Sequence, residues 1–427
     1  MKIKTAYSSL TLACIAAMGL SVATPASAAD GVIIGSVKDA AQTRSYTGAQ
    51  IKLKELGLVT EAGTDGTFRF PSIPEGTYTL EISYLGEETV TQAIKVTDNG
   101  IARAAVEFGS GDTIDEILVR GQRSGQASAI NQQRTSDRIS SIVSADAIGQ
   151  FPDQNAAESL QRLPGLSIER DQGEGRFVGI RGIDPNLNNV TINGLNIPSP
   201  ESGVRSVALD VIPSELIQTL EVSKSVTPDM DGDAIGGSVA VKSVSAFDKA
   251  RDTASITVQA SQNDLRDETS PKLSGTFTKK LSPEWGVAGA ISYFDRDFGS
   301  DNVESNGDDE LEQRHYTITR ERLGSALNID FRPDFNNQYF LRTLYSEFSD
   351  DEYRQGNIFT FDGEDSEIER ESKDRFESQS IFTVALGGEH QLDTWKANWQ
   401  LGYAKSDEDE PDALYYVFKT ENDSIDA

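Results

Sequence analysis

Alternation of apolar and polar residues dominates the second half of the chain. In residues 395–403 the odd positions are apolar and the even positions are polar or small, and residues 285–293 repeat this pattern. Because successive side chains of a strand point to opposite faces, this period predicts about eight antiparallel strands between residues 252 and 427. Aromatic residues bracket the apolar face of 285–293, as in transmembrane strands, although a soluble sheet with one wet face also alternates.

The connections between these strands differ in length and charge. Acidic runs at residues 300–314 and 361–373 predict long loops, whereas Pro283-Glu284 predicts a short turn. Such asymmetry between the two ends of a sheet is typical of transmembrane β-barrels and favours the membrane interpretation over the soluble one.

Shorter alternating segments fill residues 30–109. The motif D-G-T-F-R-F at 65–70 joins a turn to a strand, and P-E-G-T-Y-T-L at 74–80 does the same. These segments predict a small β-sandwich whose aromatic residues lie in its core.

Residues 139–246 mix helical and strand periods and predict a compact α/β unit. Residues 155–163 have the spacing of a helix that stops at Pro164-Gly165. Asn193-Gly194 marks a hairpin turn between short strands.

The segment between these two units, residues 110–138, is rich in Ser, Gln, Gly and Arg, which predicts a flexible linker. It begins with a short acidic and aliphatic run, D-E-I-L-V-R-G at 115–121. This run is expected either to end the preceding β-domain or to pair its backbone with the sheet edge of another chain.

The N-terminus predicts export from the cytoplasm. Residues 1–28 contain two early lysines, an apolar run and a small-x-small site at Ala26-Ser27-Ala28, which together indicate a cleaved signal peptide. Cys14 is the only cysteine and leaves with that peptide, so the mature chain can form neither a disulfide nor a thiol nucleophile. The net charge of −29 argues against nucleic acid as a partner.

Candidate metal ligands are few. The chain has two histidines, so a histidine-rich zinc site is not expected. Asp229, Asp231 and Asp233 have the spacing that begins an EF-hand, but Ala234 stands where that loop needs glycine. We therefore expect a structural turn there and no metal.

Several separated motifs identify a resemblance. The chain contains L-Q-R-L-P-G-L at 160–166, G-R-F-V-G-I-R-G at 175–182, V-T-I-N-G at 190–194 and D-A-I-G-G-S-V at 233–239. In this order they resemble the plug domain of TonB-dependent outer-membrane receptors, most closely the Xanthomonas/Caulobacter-type branch. The motif residues are Leu163, Pro164, Gly165, Arg181, Gly182, Asn193, Gly194, Gly236 and Gly237. The sandwich resembles the carboxypeptidase-regulatory-like domain, a transthyretin-type family that is not catalytic.

The resemblance implies a mainly β protein with five parts. These are a signal peptide (1–28), a transthyretin-like sandwich (30–109), a TonB box with its linker (110–138), an α/β plug domain (139–246) and the N-terminal part of an antiparallel transmembrane β-barrel (252–427). The TonB box by position is Asp115, Glu116, Ile117, Leu118 and Val119.

The implied protein is a receptor and not an enzyme, and no cofactor is expected. It would lie in the outer membrane with its N-terminal domains on the periplasmic side, in contact with lipid, TonB and a small nutrient. The expected nutrient is a carbohydrate oligomer, with a siderophore as the alternative. Asn186, Asn188 and Asn196 are candidate sugar ligands, or else simply turn residues.

The chain also departs from the family. Transporter barrels of this type have about 22 strands, whereas about eight are predicted here. We therefore expect an N-terminal fragment or, as the alternative, a periplasmic plug or binding module that does not transport.

Charged residues lie among the apolar plug segments at Glu174, Arg176, Arg181 and Arg205. Because an unpaired buried charge costs several kcal/mol, we expect Arg181 to pair with acidic residues of the plug or the barrel, or else to make a local turn contact.

Overall fold

The computed structural model describes residues 30–41, 44–109, 120–136, 138–144, 153–228, 230–249, 251–307, 309–362, 365–392 and 395–422. The predicted signal peptide, the predicted TonB box and Asp229 lie outside these residues. Within the described ranges, no helix combines the length and the apolar character needed to cross a membrane.

The first domain is a sandwich of two antiparallel sheets, apart from one parallel pair. Its strands are β1 (Gly31–Asp39), β2 (Gln50–Leu53), β3 (Leu58–Glu61), β4 (Thr67–Ile73), β5 (Gly76–Ser83), β6 (Val90–Val96) and β7 (Ile101–Phe108). One sheet has the order β4-β1-β7, with β1 and β7 parallel, and the other has the order β3-β2-β5-β6. Phe68, Phe70 and Tyr78 are buried between the sheets, as the alternation predicts.

The linker prediction is wrong for residues 120–135, which form helix α1 (Arg120–Thr135). The helix packs against β8 (Ser140–Ser144), and its Ala127 contacts the sandwich core. Asn131 and Thr135 bond to carbonyl groups one turn earlier in the helix, at 2.8 and 3.0 Å. The composition misled because a helix between two packed domains needs only a few small side chains at its contacts, and their burial stabilises it more than its mean hydropathy indicates.

After β8, the α/β unit continues with α2 (Ala156–Leu160), β9 (Leu166–Asp171), β10 (Glu174–Ile180), β11 (Asn188–Ile192), β12 (Leu195–Asn196), β13 (Thr219–Ser223) and β14 (Gly237–Lys242). Five of these strands form one sheet of order β12-β11-β14-β13-β8, and β9 pairs with β10. Asn155 caps α2 by accepting a hydrogen bond from the Glu158 amide at 3.0 Å. The helix is shorter than the predicted 155–163 because its last residues turn toward Pro164.

The second half of the described chain forms one eight-stranded antiparallel sheet. The strands are β15 (Thr253–Asn263), β16 (Glu268–Lys280), β17 (Trp285–Asn306), β18 (Glu310–Phe331), β19 (Asn337–Asp362), β20 (Asp365–Leu392), β21 (Trp395–Asp409) and β22 (Ala413–Asn422). Each of β15 to β20 pairs with the next strand, and β20 pairs with both β21 and β22. The predicted number and alternation of strands are confirmed.

The two predicted long loops are instead extensions of strands. β17 and β18 stay in register from Ser300 opposite Tyr316 to Asn306 opposite Glu310, and β19 continues to Asp362. Charged side chains do not prevent this, because backbone bonds carry the pairing and opposite charges attract across the strands. Arg314, for example, pairs with Glu304 at 3.1 Å.

The α/β unit lies against one face of this sheet. Its apolar core continues into five buried strand residues, Ala290, Ala326, Leu344, Phe348 and Ile381. Gly324 permits the close approach, because a Cβ atom there would lie 2.8 Å from Leu216 and from Pro213. The opposite face of the sheet exposes large apolar side chains such as Ile291, Leu327 and Leu401.

Candidate functional site

A charged hairpin of the α/β unit reaches into the strand sheet. β9 and β10 pair with Asp171 opposite Glu174, and the residues between them, Gln172 and Gly173, both have positive φ. This tight turn matches the twist of the two strands. It places the charged residues at the base of the turn directly against β18 and β19.

Glu174 is the centre of the contact. It is 2% exposed, and its carboxylate pairs with three guanidinium groups, from Arg296 of β17 and from Arg320 and Arg322 of β18. The Arg320 pair measures 2.8 Å. Burial alone would raise the pKa of Glu174, but the three arginines outweigh burial and hold that pKa well below its ordinary range.

Arg320 is fully buried and connects the hairpin to a third strand. Besides Glu174 it contacts Asp350 of β19 at 2.9 Å and Asp171 at 3.5 Å. It also donates to the Gln172 side chain, which in turn donates to Glu352 at 3.0 Å. A buried charge of this kind is tolerated only when its partners are in place, so the hairpin and the strands need each other.

Arg176 forms a second centre on the same hairpin. Its guanidinium contacts Asp171 at 3.1 Å, Glu201 at 3.1 Å from its Nε atom, and Glu377 of β20 at 3.8 Å. Burial alone would lower the pKa of Arg176, but the attraction of its acidic neighbours is the larger effect. The net pKa of Arg176 is therefore raised, and the group stays charged. Glu377 also pairs with Arg375 at 2.7 Å, which extends the network along β20.

Asp210 is the exception in this network. Its carboxylate is buried and lies 4.0 Å from Arg176, and neither of its oxygens has a hydrogen-bond partner among the described residues. Burial raises the pKa of Asp210, and the nearby arginines only partly oppose that shift.

We call this set of contacts the hairpin cluster. Its members share ion-pair contacts at the meeting of the hairpin with the strands: Asp171, Glu174, Arg176, Asp210, Arg296, Arg320, Arg322, Asp350, Glu352, Arg375 and Glu377. Most of them are buried, whereas Asp171, Arg296 and Arg375 stay partly exposed.

The predicted plug charges separate into two groups. Glu174 and Arg176 pair with the strands, whereas Arg205 forms an exposed pair with Asp233 inside the α/β unit. Of the two alternatives for Arg181, the described residues show the local turn contact. The Arg181 guanidinium donates to the Gly236 carbonyl at 3.3 Å, because its left-handed backbone, with φ of 56°, turns the side chain along the bend. An ionic partner of Arg181 in a complete receptor stays a prediction.

The motif residues of the sequence build bends in the α/β unit. The Gly165 carbonyl accepts from the Arg181 amide at 2.8 Å, so Gly165 and the Arg181-Gly182 bend lie together. Asn193 and Gly194 both have positive φ, and the Asn193 side chain accepts from the Ser243 amide at 3.0 Å. The other motif residues lie beside these bends: Leu163, Pro164, Gly236 and Gly237.

The three candidate sugar ligands have partners within the α/β unit. Asn186 accepts from the Arg205 and Ser206 amides at 3.0 and 3.1 Å. Asn188 is buried and donates to the Val178 carbonyl at 2.8 Å, while Asn196 accepts from the Asn189 side chain at 2.9 Å. These are the bonds expected of turn residues, and binding of a sugar by them stays a prediction.

Nothing in the described residues resembles a metal site. No group of three or more His, Asp or Glu residues is placed to hold an ion within the described ranges. Asp231 instead accepts a hydrogen bond from Asn196, and Asp233 pairs with Arg205.

Sequence reasoning missed the arginines of the strands. Arg320 and Arg322 share the parity of Gly324, Ala326 and Asn328, which lie opposite the exposed apolar face of β18. Extending that alternation from Leu323 toward lower residue numbers would have placed both arginines on the face toward the plug hairpin. The acidic run at residues 300–314, which precedes the two arginines, made this part of the chain resemble a loop.

Comparisons with known proteins identify two domains. Residues 131–238 match the family model of the TonB-dependent receptor plug domain. Residues 33–119 match that of the CarboxypepD_reg-like domain. Both resemblances inferred from the motifs are confirmed. No curated protein matches the chain.

Solved structures with some similarity are receptors and a transporter. A point mutant of the ferric enterobactin receptor from Pseudomonas aeruginosa is 11% identical over 69% of this chain and 60% of its own, with a TM-score of 0.35. The ferric citrate transporter FecA is 11% identical over 68% of this chain and 60% of its own, with a TM-score of 0.32. The siderophore receptor PiuA from Acinetobacter baumannii is 14% identical over 64% of this chain and 46% of its own, with a TM-score of 0.37. The chain therefore spans less than two thirds of the length of these proteins.

Proposed function

We propose that this chain, which contains a TonB-dependent receptor plug domain behind a CarboxypepD_reg-like domain, acts as an outer-membrane receptor for active uptake of a scarce nutrient. The single observation that carries the proposal is the plug domain seated, through the hairpin cluster, on a sheet of long antiparallel strands.

The outer face of the sheet supports a location in a membrane. Apolar side chains are exposed along it, and aromatic rings gather at the end with short turns, where Trp285 stacks on Phe331 at 4.3 Å and Phe331 on Tyr339 at 6.0 Å. An apolar band edged by aromatic residues fits a bilayer and its interface. A soluble sheet would instead need a partner to cover this face.

The hairpin cluster can hold the plug in one position and still let it move under force. A buried charge keeps all its ion-pair partners only in one geometry, so the cluster positions the plug hairpin against the strands. Water that enters as the plug shifts can solvate the freed charges, which would not be so for an apolar contact of the same area. The proposed cycle therefore exchanges pairs such as Glu174–Arg320 for hydrated ions.

In the proposed mechanism TonB pairs with residues 115–119 and pulls. The force reaches α1 and then β8, which is the edge strand of the plug sheet and, within the described ranges, pairs with β13 alone, over five residues. An edge strand can be removed without breaking the centre of the sheet, so β8 would release first and open a path beside the plug.

The two candidate substrate classes are a carbohydrate oligomer and a siderophore. The three asparagines already bond within the plug, so they do not favour a sugar. Uptake assays with labelled oligosaccharides and with ferric siderophores distinguish the two classes, since only one should require the protein.

The experiment that tests the proposal compares uptake in cells that carry the protein with or without residues 115–119. Loss of energised uptake with unchanged outer-membrane abundance is expected. Equal uptake by both forms would contradict the proposal. Recovery of the protein only in the soluble periplasmic fraction would instead favour the non-transporting plug or binding module.

A further inference from the structure

One turn of the N-terminal sandwich contacts the strand sheet directly. The two oxygens of the Asp65 carboxylate have different partners. Its Oδ1 accepts hydrogen bonds from the Thr67 amide and hydroxyl at 2.9 and 2.6 Å, and its Oδ2 forms an ion pair with Arg332. Arg332 begins the short turn between β18 and β19. Arg69 of β4 donates to Asn336 at the other end of that turn.

A further contact extends this interface. The Arg103 guanidinium of β7 lies 4.6 Å from the centre of the Phe335 ring, in the same turn. Thr64 of the sandwich and Asp248, in the connection from the plug to the first strand, line the same cavity. The sandwich therefore contacts the strand turn and faces the plug connection.

Arg332 joins these two features on the other side of the interface. Its guanidinium lies 4.3 Å from the centre of the Phe247 ring, in the plug connection. Beside it, Ser245 donates to Asp330 at 2.7 Å, and Asp330 pairs with Arg342. The contact surface is thus the junction at which the plug meets the strands.

A cavity of about 1540 Å³ lies next to this junction. It is lined by Arg44 and Tyr46 of the sandwich, by Asn193 and Lys242 of the plug, and by Arg342 of the strands, among others. We call the line along which plug and strands meet the seam. The seam borders this cavity, because residues of both the plug and the strands line it.

We propose that the N-terminal sandwich docks on the junction of plug and strands through the turn at residues 63–67, as a releasable cap over the end of the seam. The release step rests on the proposed function. Residues 110–119 connect β7 to α1, so a pull on them acts on the sandwich as well as on the plug. β7 is held to β1 along eight paired residues, and the sandwich would therefore move as one body.

The contact has the composition of a releasable interface. Among the described residues it consists of one ion pair, one side-chain hydrogen bond and one cation–π contact, and the apolar clusters of sandwich and plug contain no residue in common. Arg332 and Asp65 keep 22% and 14% of their side-chain surfaces exposed. Partly exposed ion pairs contribute little individually, and interfaces of this kind between domains permit relative motion.

Amide hydrogen exchange on the whole chain tests the dock. Asp65→Asn keeps an oxygen for Thr67 but loses the charge that pairs with Arg332, and Arg332→Gln removes the other partner. Docking predicts a reciprocal effect. Asp65→Asn should speed exchange at residues 332–337, and Arg332→Gln should speed exchange at residues 63–67, each by about 2- to 5-fold. Glu61→Gln, an exposed change on the same domain, should alter neither segment.

Faster exchange confined to the segment that carries the substitution would overturn the proposal, because a purely local role of each residue gives that result. Unchanged exchange in both segments would overturn it too. The measurement needs neither TonB nor a substrate, so a failure of the dock is separate from a failure of the proposed uptake function.

Discussion

Replacement of Glu174 by glutamine is the most informative perturbation of the hairpin cluster. The change keeps the shape of the side chain and removes the charge shared by Arg296, Arg320 and Arg322. Removing one partner from a buried ion pair costs about 3–5 kcal/mol. Arg320 keeps Asp350 at 2.9 Å, so we expect the lower end, about 3 kcal/mol.

This loss is measured as hydrogen-exchange protection of the β9–β10 hairpin. About 3 kcal/mol corresponds to a fall of roughly 150-fold in protection. Glu169→Gln is the matched control, because Glu169 lies on the same hairpin but is exposed. Equal protection in the two variants would refute the role assigned to Glu174.

The same pair predicts a pH dependence. The pKa of Glu174 is lowered in the folded protein, because the three arginines outweigh burial. Its contribution is therefore present above the ordinary glutamate pKa of about 4.3 and is lost as the pH falls toward the folded value. Protection of the wild-type hairpin should decrease as the pH is lowered below about 4, and the Glu174→Gln variant should lack that part of the dependence.

Three further predictions concern single residues around the plug. Asp210→Asn should leave the hydrogen-exchange protection of the hairpin at neutral pH unchanged or increased. Burial raises the pKa of Asp210, and its oxygens have no hydrogen-bond donor among the described residues. A loss of protection as large as that of Glu174→Gln would contradict this. Arg181→Ala should cost less than about 1 kcal/mol in plug stability by urea unfolding, since its side chain makes one hydrogen bond to the part of the chain that the structure describes, and a larger loss would reveal an ionic role. Gly324→Ala should destabilise plug seating by about 1–3 kcal/mol through overlap with Leu216, visible as faster exchange at 214–217, whereas unchanged exchange would contradict the close contact.

The strand faces could be predicted because their signal is local. Alternation places Ile291 and Leu327 on the exposed face, and it places their immediate neighbours in the sequence, Ala290 and Ala326, on the buried face. The sandwich core and the plug bends were predictable for the same reason, since turns and alternating strands depend on adjacent residues.

Features that depend on tertiary contact were not predictable in this way. Helix α1 is stabilised between two domains, and its own sequence does not record that environment. The strand extension around residue 310 is also held by a strand far along the chain, since Glu310 of β18 lies opposite Thr360 of β19. The hairpin cluster joins Glu174 to arginines more than 120 residues later, and only the fold determines which charge meets which.

We propose that residues 115–119 couple this protein to TonB. Crosslinking in cells from cysteines introduced at Ile117 and Val119 tests this proposal most directly, with a cysteine at exposed Glu61 as the control. We expect a product with TonB from either box position, increased when the nutrient is supplied, and none from position 61. Absence of that product at both box positions, with the protein present in the outer membrane and the nutrient bound, would contradict the claim.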